Sequence, residues 1–217
     1  MKQSFTVLAA PPLFLVWQVG LLYDRAVTSA FDKTALRLRM RGLRRRLGAE
    51  APDAAWRAAE GFPDDLIPAV AAVYYAQSSE LDPTPLAERL IAAGAKVALP
   101  VARSRDGRLQ FRLWTPGETL IPDVVGVPAP PEAAPVVTPN LVIAPLLAFD
   151  RRGGRLGQGG GHYDRTIANL RAAGPVLVAG LAYAGQEVDE IPMEPHDQRL
   201  DAILTETGYQ ALAKDSR

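Results

Sequence analysis

Short β-rich runs alternate with segments of helical periodicity along most of the chain. Six runs have the composition of strands, at residues 70–76, 97–99, 109–114, 141–147, 176–183 and 202–205. Residues 85–93 and 163–173, which lie between strands, have a helical pattern instead. Such alternation is typical of a layered sheet that is covered on both faces. We therefore predict an α/β fold, a three-layer α/β/α arrangement around a mixed, mainly parallel sheet.

The length of the chain favours one main domain. With 217 residues, of which 48% are hydrophobic, the chain can bury one substantial core. We assign residues 31–217 to a single α/β domain and set residues 1–30 apart as an apolar extension. Residues 5–23 carry no charge and approach membrane-spanning length, but Pro11, Pro12 and Gln18 interrupt them. An anchor or export signal and a simple upstream extension both stay open, and we expect a cytoplasmic protein.

The charge balance and the rare residue types exclude several classes of site. Lys plus Arg and Asp plus Glu both total 24, so the molecule as a whole has no field that attracts nucleic acid or an anionic membrane. The chain has no cysteine and only two histidines, which argues against disulfides, thiolate chemistry and zinc. We expect a monomer that acts on small molecules, with any metal bound through oxygen.

The first predicted helix, residues 32–47, has one densely basic side. Apolar residues recur at helical spacing, and Asp32 is a suitable N-cap. The other side carries basic residues four apart, namely Lys33, Arg37, Arg41 and Arg45, with Arg39, Arg44 and Arg46 around them. Like charges at this spacing repel one another. The basic side therefore predicts a contact that offsets the repulsion, although a solvated helix face stays an alternative.

A glycine-rich segment at residues 144–165 is the strongest indication of a binding site. Its sequence is APLLAFDRRGGRLGQGGGHYDR, an apolar strand that leads through glycines into a helix. Glycines let backbone N–H groups approach an anion, and a helix start adds the positive end of its dipole, so the segment suits a phosphate. Arg155 and Arg165 can add positive charge, and Asp164 is well placed to hold Mg²⁺.

Two common phosphate-binding motifs do not match this segment. No Lys-Ser or Lys-Thr follows the glycines as in a P-loop, and the spacing differs from the dinucleotide pattern G-x-G-x-x-G. A flexible strand-to-helix connection without a ligand is the alternative interpretation.

Read as a whole, residues 145–165 resemble the signature of the 5-formyltetrahydrofolate cyclo-ligases, also called methenyltetrahydrofolate synthetases, approximately P-x-x-A-F-D-x-x-G-x-R-L-G-x-G-x-G-x-Y-D. Further matching pieces follow the order of that family: Lys33 and Arg37, Glu80, the strand at 96–100, Gln186, Ile191-Pro192, His196-Asp197 and Asp201. The resemblance extends from about residue 33 to residue 207. The chain departs from the family at His162, where a tyrosine is common.

The resemblance implies a reaction. Enzymes of this family use ATP to convert 5-formyltetrahydrofolate to 5,10-methenyltetrahydrofolate, releasing ADP and phosphate. Phosphorylation of the formyl oxygen turns a poor leaving group into phosphate, after which N10 of the folate can close the ring. The resemblance thus implies ATP as co-substrate and Mg²⁺ as cofactor.

The resemblance also implies roles for particular residues. Arg155 is expected to be catalytic, because it would stabilise charge on the transferring phosphoryl group. Glu80 and Trp114 are expected to bind the folate, and Asp164 and Asp197 to bind Mg²⁺. The residues expected to bind ATP are Lys33, Arg37, Arg155, Leu156, Gly157, Gln158, Gly159, Gly160, Gly161, His162 and Tyr163.

Two other functions remain open at this stage. A sugar-phosphate isomerase or CoA-transferase relative would share the fold but ignore ATP. A protein that binds nucleic acid or a membrane surface through residues 33–46 would explain the basic helix but leave the glycine-rich segment without a role.

Overall fold

The computed structural model describes residues 33–212. Helix α1 covers residues 33–50, which confirms the predicted basic helix; its proposed N-cap, Asp32, lies outside the described residues, as does the apolar extension. Three further helices follow: α2 at Ala54–Glu60, α3 at Thr84–Ala92 and α4 at His162–Ala173. Within residues 33–212, none of the helices combines the length and the apolar character that a bilayer crossing requires.

Within residues 33–212, twelve strands form one large sheet and two small ribbons. They are β1 Val70–Ala72, β2 Lys96–Ala102, β3 Leu109–Leu113, β4 Ile121–Pro122, β5 Pro128–Ala129, β6 Val136–Val137, β7 Leu141–Pro145, β8 Ala148–Phe149, β9 Arg155–Leu156, β10 Leu177–Leu181, β11 Ala202–Thr205 and β12 Gly208–Ala211. The β4–β5 pair and the β8–β9 pair are antiparallel ribbons outside the large sheet.

The large sheet is mixed and mainly parallel, as predicted. Its order is β12-β11-β10-β7-β1-β2-β3-β6, and the five strands from β11 to β2 run parallel. The antiparallel strands β3, β6 and β12 lie toward its edges. After β1 the chain adds β2 on one side and later returns to add β7 on the other. Such a reversal opens a crevice at the carboxyl ends of the strands, where open α/β sheets bind ligands.

The alternation of side chains along the strands explains the three layers. Ala71 packs in a core with residues of α2 and α3, whereas the next residue, Ala72, packs on the opposite face with Ile167 of α4. Both faces of the sheet are therefore covered by helices, as predicted. Helix α1 lies elsewhere: its Met40 is buried in a third cluster with Leu147 and Leu156, next to the carboxyl end of β7.

Strand β1 is shorter than the sequence predicts. The apolar run continues to residue 76, but the strand ends at Ala72. Val73 and Tyr74 are still buried, and the Val73 amide still donates to the Ala98 carbonyl at 3.0 Å. Beyond Ala72 the chain therefore still packs in the core, although it no longer belongs to the strand. It then continues to the crevice.

Candidate active site

A cleft of about 600 Å³ lies at the carboxyl ends of β1 and β7. Lys33, Arg37 and Arg44 of α1 line it, together with the whole glycine loop, defined here as residues 155–163. Residues that follow β1, including Tyr75 and Glu80, form another part of the wall. The structure thus brings together almost all of the residues that the sequence predicts to bind ATP, folate and metal.

The glycine loop requires backbone conformations that favour glycine. Gly159 has φ of +105° and Gly161, the N-cap of α4, has φ of +65°. Side chains with a Cβ rarely adopt such angles. A Cβ on Gly159 would lie 3.5 Å from the guanidinium carbon of Arg37, which is an ordinary contact, so the backbone angle rather than lack of space favours glycine there. Because the loop ends at a helix start that lines the cleft, backbone N–H groups and the helix dipole can act together on an anion there.

Arg155 lines the cleft and is buried. One terminal nitrogen donates to Oδ1 of Asp164 at 3.0 Å and the other donates to the Pro145 carbonyl at 3.4 Å. Its guanidinium lies 5.4 Å from the centre of the Tyr163 ring. The Nε of Arg155 and the hydroxyl of Tyr163 are both buried without a hydrogen-bond partner. Buried polar atoms normally have partners, so these two are candidates for ligand contacts.

The pKa of the Tyr163 hydroxyl depends on its burial and on two charged residues of the cleft, Arg155 and Glu80. Burial raises the pKa of its hydroxyl strongly; attraction from Arg155 lowers that pKa, and repulsion from Glu80 raises it further. The hydroxyl therefore stays protonated at neutral pH and can donate a hydrogen bond.

Lys33 and Asp197 form a partly buried ion pair. The Lys33 Nζ donates to Oδ2 of Asp197 at 2.7 Å and to Oε1 of Glu194 at 3.0 Å. Burial lowers the pKa of Lys33, but its hydrogen bonds and attraction to both carboxylates outweigh this and raise it above the ordinary value. Burial likewise raises the pKa of Asp197, but Lys33 and the Glu194 amide outweigh burial and lower it. The pair is thus fully charged at neutral pH.

Helix α1 also contacts the glycine loop directly. Arg37 donates from Nε to the Gly157 carbonyl at 3.0 Å, and Arg41 donates to Oε1 of Gln158 at 2.8 Å. These contacts account for part of the basic side of α1, because they place its guanidinium groups against the loop rather than against each other.

The opposite end of the cleft contains Glu80, whose two carboxylate oxygens are both engaged. Oε1 accepts from Nη1 of Arg44 at 3.3 Å, and Oε2 accepts from the Gln77 amide at 3.0 Å. The side chain of Glu80 is only 9% exposed. Each oxygen keeps a second lone pair that a ligand donor can use.

The carboxylates expected to hold Mg²⁺ both line the cleft. Asp164 accepts from Arg155 and from the Gln198 amide through one oxygen, Oδ1. Asp197 accepts through Oδ2 from Lys33 and from the Glu194 amide. Within residues 33–212 no cluster of three or more acidic, histidine or cysteine side chains could hold a metal alone. A pair of carboxylates suits Mg²⁺, which commonly binds one or two carboxylates, water and substrate phosphates.

Trp114 is not among the residues that line the cleft. It packs, partly buried, against the core on the α2–α3 side of the sheet, and its indole nitrogen is buried without a partner. His162 does line the cleft, and its Nδ1 lies 2.9 Å from the Gly107 carbonyl. Because a carbonyl can only accept, Nδ1 carries the proton in that contact.

Sequence reasoning missed several residues that shape the site. Asp150 is buried and accepts from the amides of Arg152 and Gly154 through Oδ1 and from that of Ile191 through Oδ2. It thereby ties the start of the glycine-rich segment to a loop near the Lys33 pair. Its position directly before two arginines and two glycines was a signal, because an aspartate there often caps a turn.

Comparisons with known proteins point to one enzyme family. The sequence profile of the 5-formyltetrahydrofolate cyclo-ligase family matches residues 30–206. The 5-formyltetrahydrofolate cyclo-ligase of Escherichia coli K12 is 35% identical over 149 residues, which cover 66% of this chain and 81% of that protein. The enzyme of the same name from Mycolicibacterium smegmatis is 36% identical over 140 residues, covering 61% and 71% respectively.

Solved structures show the same fold. The 5,10-methenyltetrahydrofolate synthetase of Aquifex aeolicus superposes with a TM-score of 0.64 at 25% identity, over 85% of this chain and 94% of that one. The corresponding protein of Mycoplasma pneumoniae has a TM-score of 0.58 at 22% identity, over 81% and 99%. These likenesses confirm the predicted α/β class.

Proposed function

Because this chain belongs to the 5-formyltetrahydrofolate cyclo-ligase family, we propose that it converts 5-formyltetrahydrofolate to 5,10-methenyltetrahydrofolate at the expense of ATP. The observation that carries the proposal is the buried guanidinium of Arg155, the first residue of the glycine loop, which lines the same cleft as Glu80 with its Nε unpartnered. The proposed location is cytoplasmic.

The first step is transfer of the γ-phosphoryl group of ATP to the formyl oxygen. The bond from that phosphorus to the β–γ bridging oxygen breaks, ADP leaves, and the new bond joins the phosphorus to the formyl oxygen. Charge on the transferring group must be neutralised. Arg155 is the proposed cation for this, while the backbone of residues 157–161 and the start of α4 hold the phosphates.

The second step closes the ring. The N10 nitrogen attacks the activated carbon, its proton is lost, and the C–O bond breaks to release phosphate and leave the methenyl carbon joined to N5 and N10. Proximity supplies much of the rate, because both nitrogens belong to one bound molecule. Glu80 is proposed to orient the pterin by accepting hydrogen bonds from its ring N–H groups.

Mg²⁺, when bound, would neutralise phosphate charge and orient the triphosphate. Asp164 and Asp197 are the proposed ligands. In the structure each is paired with a cation, Arg155 and Lys33 respectively. We therefore propose that Lys33 turns from Asp197 toward the triphosphate on binding, so that an internal ion pair is exchanged for contacts with the ligand.

The direct test is an absorbance assay that follows the chromophore of the methenyl product. Full-length protein is mixed with 5-formyltetrahydrofolate, ATP and Mg²⁺, and matched reactions omit ATP or contain a chelator. Product that requires all components would support the proposal. Folded protein that binds ATP but forms no methenyl product would contradict it.

A further inference from the structure

Arg44 is a buried basic residue of α1 that neither the proposed phosphate contacts nor the apolar core explains. Only 4% of its side chain is exposed. Its Nε donates to Oγ of Ser79 at 3.2 Å, and its Nη1 donates to Oε1 of Glu80 at 3.3 Å and to the Leu146 carbonyl at 3.2 Å. One guanidinium therefore joins α1, the turn that follows β1 and the end of β7.

A buried guanidinium is costly unless its partners compensate. An apolar side chain of similar volume usually stabilises a core as well as a buried ion pair does. Burial of charge here thus has no advantage for stability alone. It does affect the cleft, because the positive charge of Arg44 lies against one carboxylate oxygen of Glu80.

Glu80 is held from two directions. Arg44 donates to Oε1, and the Gln77 amide, from the same turn, donates to Oε2. A carboxylate with both oxygens engaged cannot rotate freely, so its remaining lone pairs have fixed directions. Preorganised acceptors bind a ligand without the cost of ordering them first.

The spacing of residues along α1 places Arg44 on the same side of the helix as the residues that lie at the other end of the cleft. Lys33, Arg37, Met40 and Arg44 recur at intervals of four, three and four, which places them on one stripe of a helix. Arg37 lies against the glycine loop and Met40 is buried between the two ends. With a rise of about 1.5 Å per residue, Arg37 and Arg44 are separated by about 10 Å along the axis.

We propose that Arg44 is a positioning residue for folate: it holds the Glu80 carboxylate in the orientation that binds the pterin, from the same helix that carries the phosphate contacts Lys33 and Arg37. This inference rests on the proposed function, since it requires that Glu80 binds the folate. Arg44 acts through Glu80 and does not need to touch the substrate.

The test compares Arg44→Met with Glu80→Gln and with the double variant, using KM for 5-formyltetrahydrofolate and for ATP separately. Arg44→Met should raise the folate KM about tenfold and change the ATP KM by less than about twofold, as expected for loss of one charge-assisted contact at one end of the cleft. Glu80→Gln should raise the folate KM at least as much. In the Glu80→Gln background, Arg44→Met should add less than about twofold, because the group through which it acts is already altered.

Arg45→Met is the matched control. Arg45 is the next residue on the same helix and is exposed. This variant should leave both KM values within about twofold of the wild type. Circular dichroism and thermal unfolding establish that each variant is folded.

Several outcomes would overturn the role of Arg44. The first is that both KM values rise together in Arg44→Met. The second is that the effects of Arg44→Met and Glu80→Gln on the folate KM multiply. If Arg44→Met does not fold, Arg44→Lys decides: its single ammonium cannot reproduce three contacts, so a several-fold rise in the folate KM alone is expected. A wild-type folate KM in Arg44→Lys would be the third contrary outcome.

The same experiment separates this inference from the proposed function. Folded wild-type protein without turnover would overturn the proposed function and the Arg44 role together. Normal wild-type turnover, a raised folate KM in Glu80→Gln and an unchanged one in Arg44→Met would overturn the Arg44 role alone.

Discussion

The two ends of the cleft differ in how their charged side chains are paired. At the phosphate end, Lys33 and Arg155 are paired with Asp197 and Asp164, the carboxylates proposed to bind Mg²⁺. At the folate end, Glu80 is held by donors that the proposed reaction does not use, Arg44 and the Gln77 amide. If the proposed ligands bind, the first arrangement has to exchange partners, whereas the second can stay as it is.

The chemistry of the two ligands explains the difference. MgATP brings both signs of charge, so cations and carboxylates that neutralise each other in its absence can each find a new partner. The pterin is neutral, and its proposed recognition depends on the direction of its hydrogen bonds, which a fixed acceptor serves best. Substitutions at the phosphate end should therefore change turnover and metal dependence, and those at the folate end should change folate affinity.

The largest effect is expected for Arg155→Ala, which should lower kcat about a thousandfold while raising the folate KM only a few-fold. The charge that Arg155 is proposed to stabilise develops during phosphoryl transfer, so its loss should act on the transition state. Steady-state and single-turnover rates measure this directly. Arg151→Ala is the control, because the Arg151 side chain is 76% exposed and pairs with Glu187 away from the cleft. An Arg155→Ala variant with a strongly raised folate KM and a normal kcat would contradict the proposed role of Arg155 in phosphoryl transfer.

A smaller effect is expected for Asp197→Asn. It should raise the Mg²⁺ concentration for half-maximal rate about a hundredfold, because a neutral amide is a much weaker ligand for a hard cation. The measurement is a Mg²⁺ titration at saturating ATP and folate. Asp189→Asn, at an exposed position, should titrate like the wild type. If Asp197→Asn also titrates like the wild type, Asp197 serves only as the partner of Lys33.

The ion pair itself predicts a pH dependence of stability in metal-free protein. The pKa of Asp197 is lowered, so its contribution is present above the ordinary value of 3.8 and is lost as the pH falls below it. The pKa of Lys33 is raised, so its contribution is present below 10.5 and is lost as the pH rises through the higher folded value.

The difference in unfolding free energy between the wild type and Lys33→Met should therefore be largest between these two values and should shrink on both sides. Urea unfolding across the pH range measures it. A difference that does not change with pH would mean that Lys33 stabilises the protein through packing rather than through charge.

The smallest effect is expected for Trp114→Phe, which should change the folate KM by less than about twofold. Trp114 packs in the core rather than in the cleft, and its indole nitrogen makes no hydrogen bond that could be lost. Tyr75→Ala is the aromatic comparison, because Tyr75 lines the cleft and is 41% exposed. It should raise the folate KM several-fold. If Trp114→Phe has the larger effect, the folate end of the cleft is wrongly assigned.

Local features of the site were predictable from the sequence. The glycine loop is one short stretch of sequence. Its glycines, the charged residues Arg155 and Arg165 on either side of them and the start of α4 are neighbours along the chain. Lys33 and Arg37 are one helical turn apart, so their common direction follows from helix geometry. The fold class followed in the same way, from strand and helix periodicities that are local properties.

The partners of these residues were not predictable. Arg44 meets Glu80 and Leu146 across 36 and 102 residues of chain, and Lys33 meets Asp197 across 164. Trp114 does not line the cleft, whereas its neighbourhood in the chain alone had suggested a contact with the substrate; the Trp114→Phe variant tests that expectation. A side chain at or next to β3 can point to either face of the sheet. The register of the strand decides which, and a shift of one residue moves the side chain to the other face.

The sequence by itself determined the α/β class, the glycine loop that leads into α4 and the basic stripe of α1, because each depends on residues that are close in the chain. Only the tertiary structure decided which cation pairs with which carboxylate and that one helix spans both ends of the cleft. The physical reason is that ion pairs and buried hydrogen bonds act over a few ångströms, and the distances between segments remote in sequence are set by the packing of the whole sheet and its helices.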